Sequence, residues 1–217
     1  GEHFIMAKAT QKLTTQSKSL GIYVHIPFCR SKCQYCDFYS LPRSEKTPEL
    51  MDRYVQALEA HIREGGARAP RYVVDSVYFG GGTPSYFGPD RLKDVFSAIS
   101  KRFNVSKSAE VTLEANPDSI TDKGCQKLLA AGFNRISIGV QNNNDQILKV
   151  LGRPHTFRQA QRSVDIARNA GFGNISLDLM YGLPAQSPQQ WADALGSIID
   201  LKPEHISCYG LTLSPGT

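Results

Sequence analysis

Three of the chain's five cysteines fall within eight residues, in CRSKCQYCDF at positions 29–38. Cys29, Cys33 and Cys36 form C-x3-C-x2-C, and thiolates in one short loop can converge on a metal centre. A structural zinc site takes four ligands, and no Cys or His at a suitable spacing supplies the last one within the loop. His25 lies four residues upstream, but it ends a strand pattern and is read as pointing away. An iron–sulfur cluster on three cysteines leaves one iron without a protein ligand, an open position for a substrate or cofactor. Thiolates with that task are expected to have low pKa values. Cys125 and Cys208 sit in apolar helix and strand patterns and are read as inert core residues.

Further segments place polar side chains or glycines where chemistry could use them. YFGGGTPS (78–85) offers Gly81, Gly82 and Thr83, where bare backbone approaches a ligand closely and N–H groups can hold a carboxylate. TLEANPD (112–118) offers Glu114, SIGVQ (137–141) offers Gln141, VLGRPH (150–155) offers Arg153, and SLDLMYGLP (176–184) offers Asp178. Taken singly, a carboxylate or arginine at a strand end pairs with a neighbour about as often as it serves a ligand. All of them together, in this order, read as one site.

What must position them is a repeating α/β unit. Short apolar runs at Ile22–His25, Val73–Phe79, Glu110–Glu114, Arg135–Val140, Ile175–Met180 and His205–Leu211 read as strands buried on both faces. Thr47-Pro48-Glu49 opens a helix with an N-cap, a proline at the first position and an acid in the first turn. Leu50, Tyr54, Leu58 and Ile62 mark its apolar face, and Gly65-Gly66 is expected to stop it. Ser187-Pro188 opens another helix, with Trp191, Leu195 and Ile198 inward. AAGFNRISIGV (130–140) and NAGFGNISLDLM (169–180) echo one another, each closing a helix with Gly and starting a strand. Six strands and five helical segments give a parallel α/β architecture with ligands at the C-terminal strand ends. Alternation alone does not separate a doubly wound sheet from a barrel.

Composition sets the outer bounds. The 217 residues carry a net charge of +5, with no Lys/Arg run dense enough for a nucleic-acid patch, so no nucleic-acid partner is expected. No run of about 18 apolar residues exists, so no transmembrane segment is expected. An odd cysteine count with three crowded together suits a reducing compartment, and a cytoplasmic location is expected. Residues 1–20 are polar and read as a disordered segment. They contain no arginine, which makes a mitochondrial transit peptide, and hence the matrix, the weaker reading.

The C-x3-C-x2-C motif resembles the signature of the radical S-adenosylmethionine (SAM) superfamily. GGGTP resembles that superfamily's glycine segment in the form found around the coproporphyrinogen dehydrogenases. YVHIPFC, YCDFYS, GGGTPS, NRISIGVQ and DLMYGLP together resemble the oxygen-independent coproporphyrinogen III oxidase family, and most closely its HemW-type haem chaperones. The resemblance covers residues 21–217. It implies a partial (β/α)6 barrel of parallel strands, a radical SAM core domain with the family's C-terminal helical domain absent from this chain. It also implies a [4Fe–4S] cluster on Cys29, Cys33 and Cys36, whose open iron is chelated by SAM and whose electron cleaves it to a 5′-deoxyadenosyl radical.

Carried across by resemblance, Gly81, Gly82 and Thr83 hold the methionyl amino end of SAM with help from Glu114. Arg153 takes the carboxylate as a bidentate guanidinium, Gln141 and Asp178 the ribose hydroxyls, Tyr35 the adenine, and Tyr23 braces the sulfonium region. The implied partners are haem or a porphyrin precursor, a reductant such as flavodoxin or ferredoxin, and a haem-accepting protein. The dehydrogenases resembling this chain carry a fourth cysteine two residues after the third, where this sequence has Phe38. That departure favours haem binding and transfer over decarboxylation of coproporphyrinogen III, with a radical SAM enzyme for some unrelated substrate as a third reading.

Overall fold

The structure is a computed structural model and describes residues 18–41 and 46–213. Six strands lie in one parallel sheet: β1 (Lys18–Ile26), β2 (Tyr72–Gly81), β3 (Asn104–Ala115), β4 (Arg135–Gln141), β5 (Ile175–Tyr181) and β6 (His205–Gly210). Their order in space is their order in sequence, β1-β2-β3-β4-β5-β6. Each crossover therefore steps one strand onward, always in one direction, so the sheet curls into a half-barrel. The doubly wound alternative needs a reversal of strand order and is excluded. The principal helices are α1 (Pro48–Arg68), α3 (Pro89–Arg102), α4 (Asp122–Ala131), α6 (Phe157–Ala170) and α7 (Pro188–Ile199), and two short ones, α2 (Pro84–Phe87) and α5 (Asp145–Val150), lie in loops.

The strands are not apolar on both faces. In β4 the residues Ile136, Ile138 and Val140 are buried in the main core, while Arg135, Ser137, Gly139 and Gln141 face the other way and line a cavity. The same period of two sets Val77 and Phe79 against Tyr78 in β2, and Leu177 and Leu179 against Asp178 in β5. The helices cover the outer, apolar face, where Phe133 packs between Phe79 (ring centroids 5.0 Å apart) and Phe96 (5.5 Å). The inner face keeps the polar set.

Local expectations hold at most element ends. Thr47 Oγ1 accepts from Leu50 N–H at 3.2 Å, and Ser187 forms a reciprocal capping box with Gln190. The echoed segments share one joint: α4 and α6 end at Gly132 (φ 106°) and Gly171 (φ 116°), and Phe133 and Phe172 then turn into the core. Three expectations need correction. β1 begins at Lys18, so residues 18–20 belong to the sheet, while 1–17 lie outside the described residues. The buried face of α1 is Met51, Val55 and Ile62, with Leu50, Tyr54 and Leu58 only half-buried beside it. Gly65 and Gly66 do not stop α1, which runs on to Arg68.

The glycines serve contact instead. A Cβ at Gly66 would stand 2.7 Å from the carbonyl oxygen of Arg102 at the end of α3, and one at Gly65 3.3 Å from the Phe103 ring. Gly66→Val should therefore overpack the α1–α3 contact and lower stability by about 1–3 kcal/mol in urea unfolding. An unchanged midpoint would show that the helices can part without cost.

Candidate functional site

The chain leaves β1 through Pro27 and Phe28, both buried, and enters the cysteine loop. Phe28 stacks on Phe87 (5.3 Å, 9°) and meets Tyr54 edge-on (5.5 Å), which fixes the loop's root. Beyond the strand ends, Gly82 N–H donates to Ile26 O and Thr83 N–H to Phe28 O, each at 2.9 Å. These bonds carry the β1–β2 pairing on into the two loops. Their closeness requires glycine: a Cβ at Gly82 would stand 2.9 Å from Cys29 Sγ, and one at Gly81 (φ 112°) 2.5 Å from the His25 ring.

His25 itself stays clear of the cysteines. Its Nε2 lies 3.1 Å from the Tyr39 carbonyl and its Nδ1 3.1 Å from the Tyr23 hydroxyl, so the proton sits on Nε2 and Tyr23 donates to Nδ1. On the far side the cysteine loop leans on the segment after α5, where Gln34 N–H donates to Leu151 O at 3.3 Å. Gly152 (φ 72°) brings that segment close, with its missing Cβ 3.4 Å from Gln34.

A cavity of about 840 Å³ opens between these loops and the inner face of the sheet. It is lined by Cys29, Cys33, Tyr35, Cys36, Gly81, Gly82, Thr83, Glu114, Gln141, Arg153 and Asp178. Of the residues that the resemblance assigns to the site, Tyr23 alone lies outside this lining. It stands 59% exposed and stacks behind Tyr78, ring centroids 6.2 Å apart.

The polar groups hold one another in place. Glu114 accepts from the Tyr78 hydroxyl (2.8 Å) and Gly81 N–H (3.1 Å); burial pushes its carboxyl up, against the pull of those two bonds. Asp178 accepts from Ser137 Oγ at 2.9 Å, and burial pushes it up to about 6. The Tyr209 hydroxyl donates to Gln141 Oε1, and Gln141 is held at φ 70° where β4 bulges against β5. Burial pushes the Tyr35 hydroxyl up as well.

Arg153 Nη2 donates to Asn116 Oδ1 (2.7 Å) and the Gly139 carbonyl (2.6 Å), while Nη1 lies 3.5 Å from Cys33 Sγ. The fork expected to grip a carboxylate is largely engaged within the protein. Only its Nε, shielded from solvent, is without a partner among the described residues.

Two readings of the cysteines change. Burial pushes the Cys29 and Cys36 thiols up rather than down, because the loop seats both sulfurs in a cavity wall, and a metal cation is the charge that would reverse this. Among the described residues Cys208 is exposed, on the face of β6 opposite Ser207 and Tyr209, which line the cavity. Cys125 is buried, with its thiol pushed up to about 11. Among the described residues no three of His, Cys, Asp and Glu converge as one metal ion requires. A cuboidal cluster takes one thiolate per iron rather than three on one ion, and Cys29, Cys33 and Cys36 all line the cavity.

Sequence reading missed Asn116, Tyr78, Ser137, Ser207 and Tyr209. Asn116 joins the loops, donating from Nδ2 to Thr83 Oγ1 (3.2 Å) while it accepts from Arg153. The signal for several of them was present: the alternate residues of RISIGVQ and the Tyr of YFGGG fall on the polar side of a period-two pattern.

A parallel half-barrel with a three-cysteine loop stapled to a glycine segment over a polar cavity defines a cofactor-binding core of the radical SAM kind. The sequence matches the Radical SAM superfamily over residues 23–198, and the chain belongs to that superfamily. It is similar to the heme chaperone HemW of Haemophilus influenzae, with 38% identity over 200 residues, 91% of this chain and 52% of that protein. It is also similar to the radical S-adenosyl methionine domain-containing protein 1, mitochondrial, of Danio rerio, at 35% identity across 100% of this chain and 48% of that protein. Among solved structures, coproporphyrinogen III oxidase (HemN) from Escherichia coli, a radical SAM enzyme, superposes with a TM-score of 0.83 at 30% identity, over 92% of this chain and 45% of that one. The chain thus spans about half the length of the curated relatives it matches.

Asp178 gives a pH test of the site. Its folded value, about 6, exceeds the ordinary 3.8, so the native state keeps a proton that the unfolded chain loses as pH rises. The stability this proton contributes is present at low pH and lost as pH climbs through about 6. Between pH 4 and pH 7 the stability difference between Asp178→Asn and the wild type should shift in the variant's favour by about 2–3 kcal/mol. A difference that stays constant over that range would show Asp178 ionising normally.

Proposed function

We propose that Cys29, Cys33 and Cys36 hold a [4Fe–4S] cluster whose open iron faces SAM, on a protein that binds and transfers haem. The observation that carries the first part is the cavity: its lining combines the three cysteines with glycine backbone, carboxylates and amides. Its volume of about 840 Å³ falls within the range of about 300–1,000 Å³ usual for cofactor sites. When bound, the cluster supplies the electron that reductively cleaves the sulfonium of SAM.

The chain's own residues bind and orient. Gly81, Gly82 and Thr83 present backbone to the methionyl end, and Glu114, held by Tyr78, is an acceptor for the amino group. Gln141 and Asp178 are assigned to the ribose hydroxyls; Ser137 donates to Asp178 and Tyr209 to Gln141, which steadies both. Tyr35, in the cavity lining, is assigned to the adenine. Arg153 contributes positive charge near the carboxylate, and its free Nε is a donor for one further contact. Tyr23 acts at one remove, through its stacking on Tyr78 and its bond to His25.

Haem transfer is favoured over porphyrinogen oxidation by two facts. Two relatives at 38% identity are haem chaperones by name, and Phe38 stands at the cavity lining where the dehydrogenases resembling this chain carry cysteine. Phe38 is 63% exposed, a bulky apolar ring where hydrogen abstraction would need atoms within about 3–3.5 Å. A haem carrier needs no such alignment. Flavodoxin or ferredoxin as reductant, and a haem-accepting protein, complete the proposal. Among the described residues no helix is long and apolar enough to cross a membrane. A cytoplasmic site of action fits an odd cysteine count with three crowded together, with the mitochondrial matrix as the alternative that the Danio rerio relative keeps open.

Anaerobic reconstitution should give a brown protein with about four irons per chain. Cys33→Ala should abolish that uptake and Cys125→Ala should leave it intact. Stoichiometric zinc with no iron uptake would contradict the cluster. Incubated with SAM and reductant, the native protein should bind haem and leave coproporphyrinogen III unconverted. Protoporphyrinogen IX formed beyond trace turnover would overturn the haem reading and leave the cluster reading standing.

A further inference from the structure

A hydrogen-bonded arc runs along the cavity from Phe28, the residue before Cys29, to Cys33. Thr83 N–H donates to Phe28 O at 2.9 Å, next to Cys29 in the chain, Asn116 Nδ2 donates to Thr83 Oγ1 at 3.2 Å, and Asn116 Oδ1 accepts from Arg153 Nη2 at 2.7 Å. Arg153 Nη1 then reaches Cys33 Sγ at 3.5 Å. The arc is built tightly at its middle. A Cβ at Gly139 would stand 3.1 Å from Arg153 Nη2 and 2.9 Å from Gln141 Nε2, so a bare backbone there is what lets the guanidinium reach the Gly139 carbonyl.

Those bonds decide what Arg153 can do. Both Nη2 protons are engaged, and Nη1 is turned toward sulfur. A guanidinium gripping a ligand carboxylate in two-point fashion needs an open edge, and neither edge is free here. A charged donor on a cysteine sulfur has another consequence. It stabilises negative charge on that thiolate, and in an iron–sulfur cluster such bonds raise the reduction potential, because the reduced form carries more negative charge.

We propose that Arg153 is a positioning residue for the cluster: through its N–H···S contact to Cys33 it sets the reduction potential, and through Asn116 and Thr83 it fixes the spacing of Cys33 and Cys29. This rests on the cluster reading above. It differs from a carboxylate grip in acting before any SAM is bound.

That difference supplies the test. Wild type, Arg153→Gln, Arg153→Lys and Asn116→Ala are reconstituted anaerobically, their iron is counted, and the midpoint potential is titrated without SAM by the signal of the reduced cluster. Arg153→Gln should load iron and be harder to reduce, with the reduction equilibrium lowered at least tenfold, about 59 mV more negative for one electron. Arg153→Lys keeps the charge but not the geometry and should shift less. Asn116→Ala, which frees the guanidinium without removing it, should also shift in the same direction.

If Arg153→Gln fails to load, the two milder variants decide: lowered potentials in them support the inference, and wild-type potentials overturn it. Loaded variants at wild-type potential without SAM, with only SAM affinity lost, overturn it in favour of a carboxylate contact. A wild-type protein that takes up no cluster removes the premise and this inference with it.

Discussion

The site depends on a parallel pairing that does not stop where the strands stop. Gly82 and Thr83 donate their backbone N–H groups to Ile26 and Phe28, so the glycine segment and the cysteine loop are one hydrogen-bonded unit. Only glycine permits it, since the Cβ of any other residue at position 82 would meet both Cys29 Sγ and the Ile26 carbonyl at 2.9 Å. A buried aromatic stack of Phe28, Phe87 and Tyr54 anchors the unit to the outer helices. Loops are ordinarily the mobile parts of a fold. Here the loop bearing three thiols is pinned at its root by apolar packing and at its rim by backbone bonds.

The sheet supplies the rest by sorting its two faces. The outer residues bury apolar area under the helices, and that burial is the main favourable term available to hold the half-barrel together. The inner face accepts the opposite cost, keeping Glu114 and Asp178 in partial burial with their carboxyls pushed upward. Tyr78, Ser137 and Gly81 N–H offset part of that cost by donating to them. Carboxylates so placed are preorganised acceptors for amino and hydroxyl groups, and a ligand offering both recovers what folding left unfavourable.

Much of this was legible in the residues. C-x3-C-x2-C, Gly81, Gly82, Glu114, Gln141 and Asp178 all face one cavity, because each follows a strand or lies on its inner face. The six strands and the two Gly-closed joints were legible for the same reason, as local backbone demands show in residue type. What escaped was decided between distant segments. The contact of Gly66 with Arg102 joins two helices, so a sequence window sees only a helix stop. The role of Asn116 depends on Thr83 and Arg153, thirty or more residues away on either side. The exposure of Cys208 depends on what packs outside β6, which no local pattern reveals.

The central claim is that three cysteines leave one iron open to SAM, and labelled SAM tests it without reference to haem or turnover. The reduced, reconstituted protein is mixed with SAM carrying ¹⁵N in its amino group and ¹⁷O in its carboxylate, and the cluster's electron–nuclear couplings are recorded. Couplings to both labels are expected, because both groups would ligate the open iron. A cluster that assembles on Cys29, Cys33 and Cys36 but shows neither coupling, with a spectrum unchanged by SAM, would contradict the account.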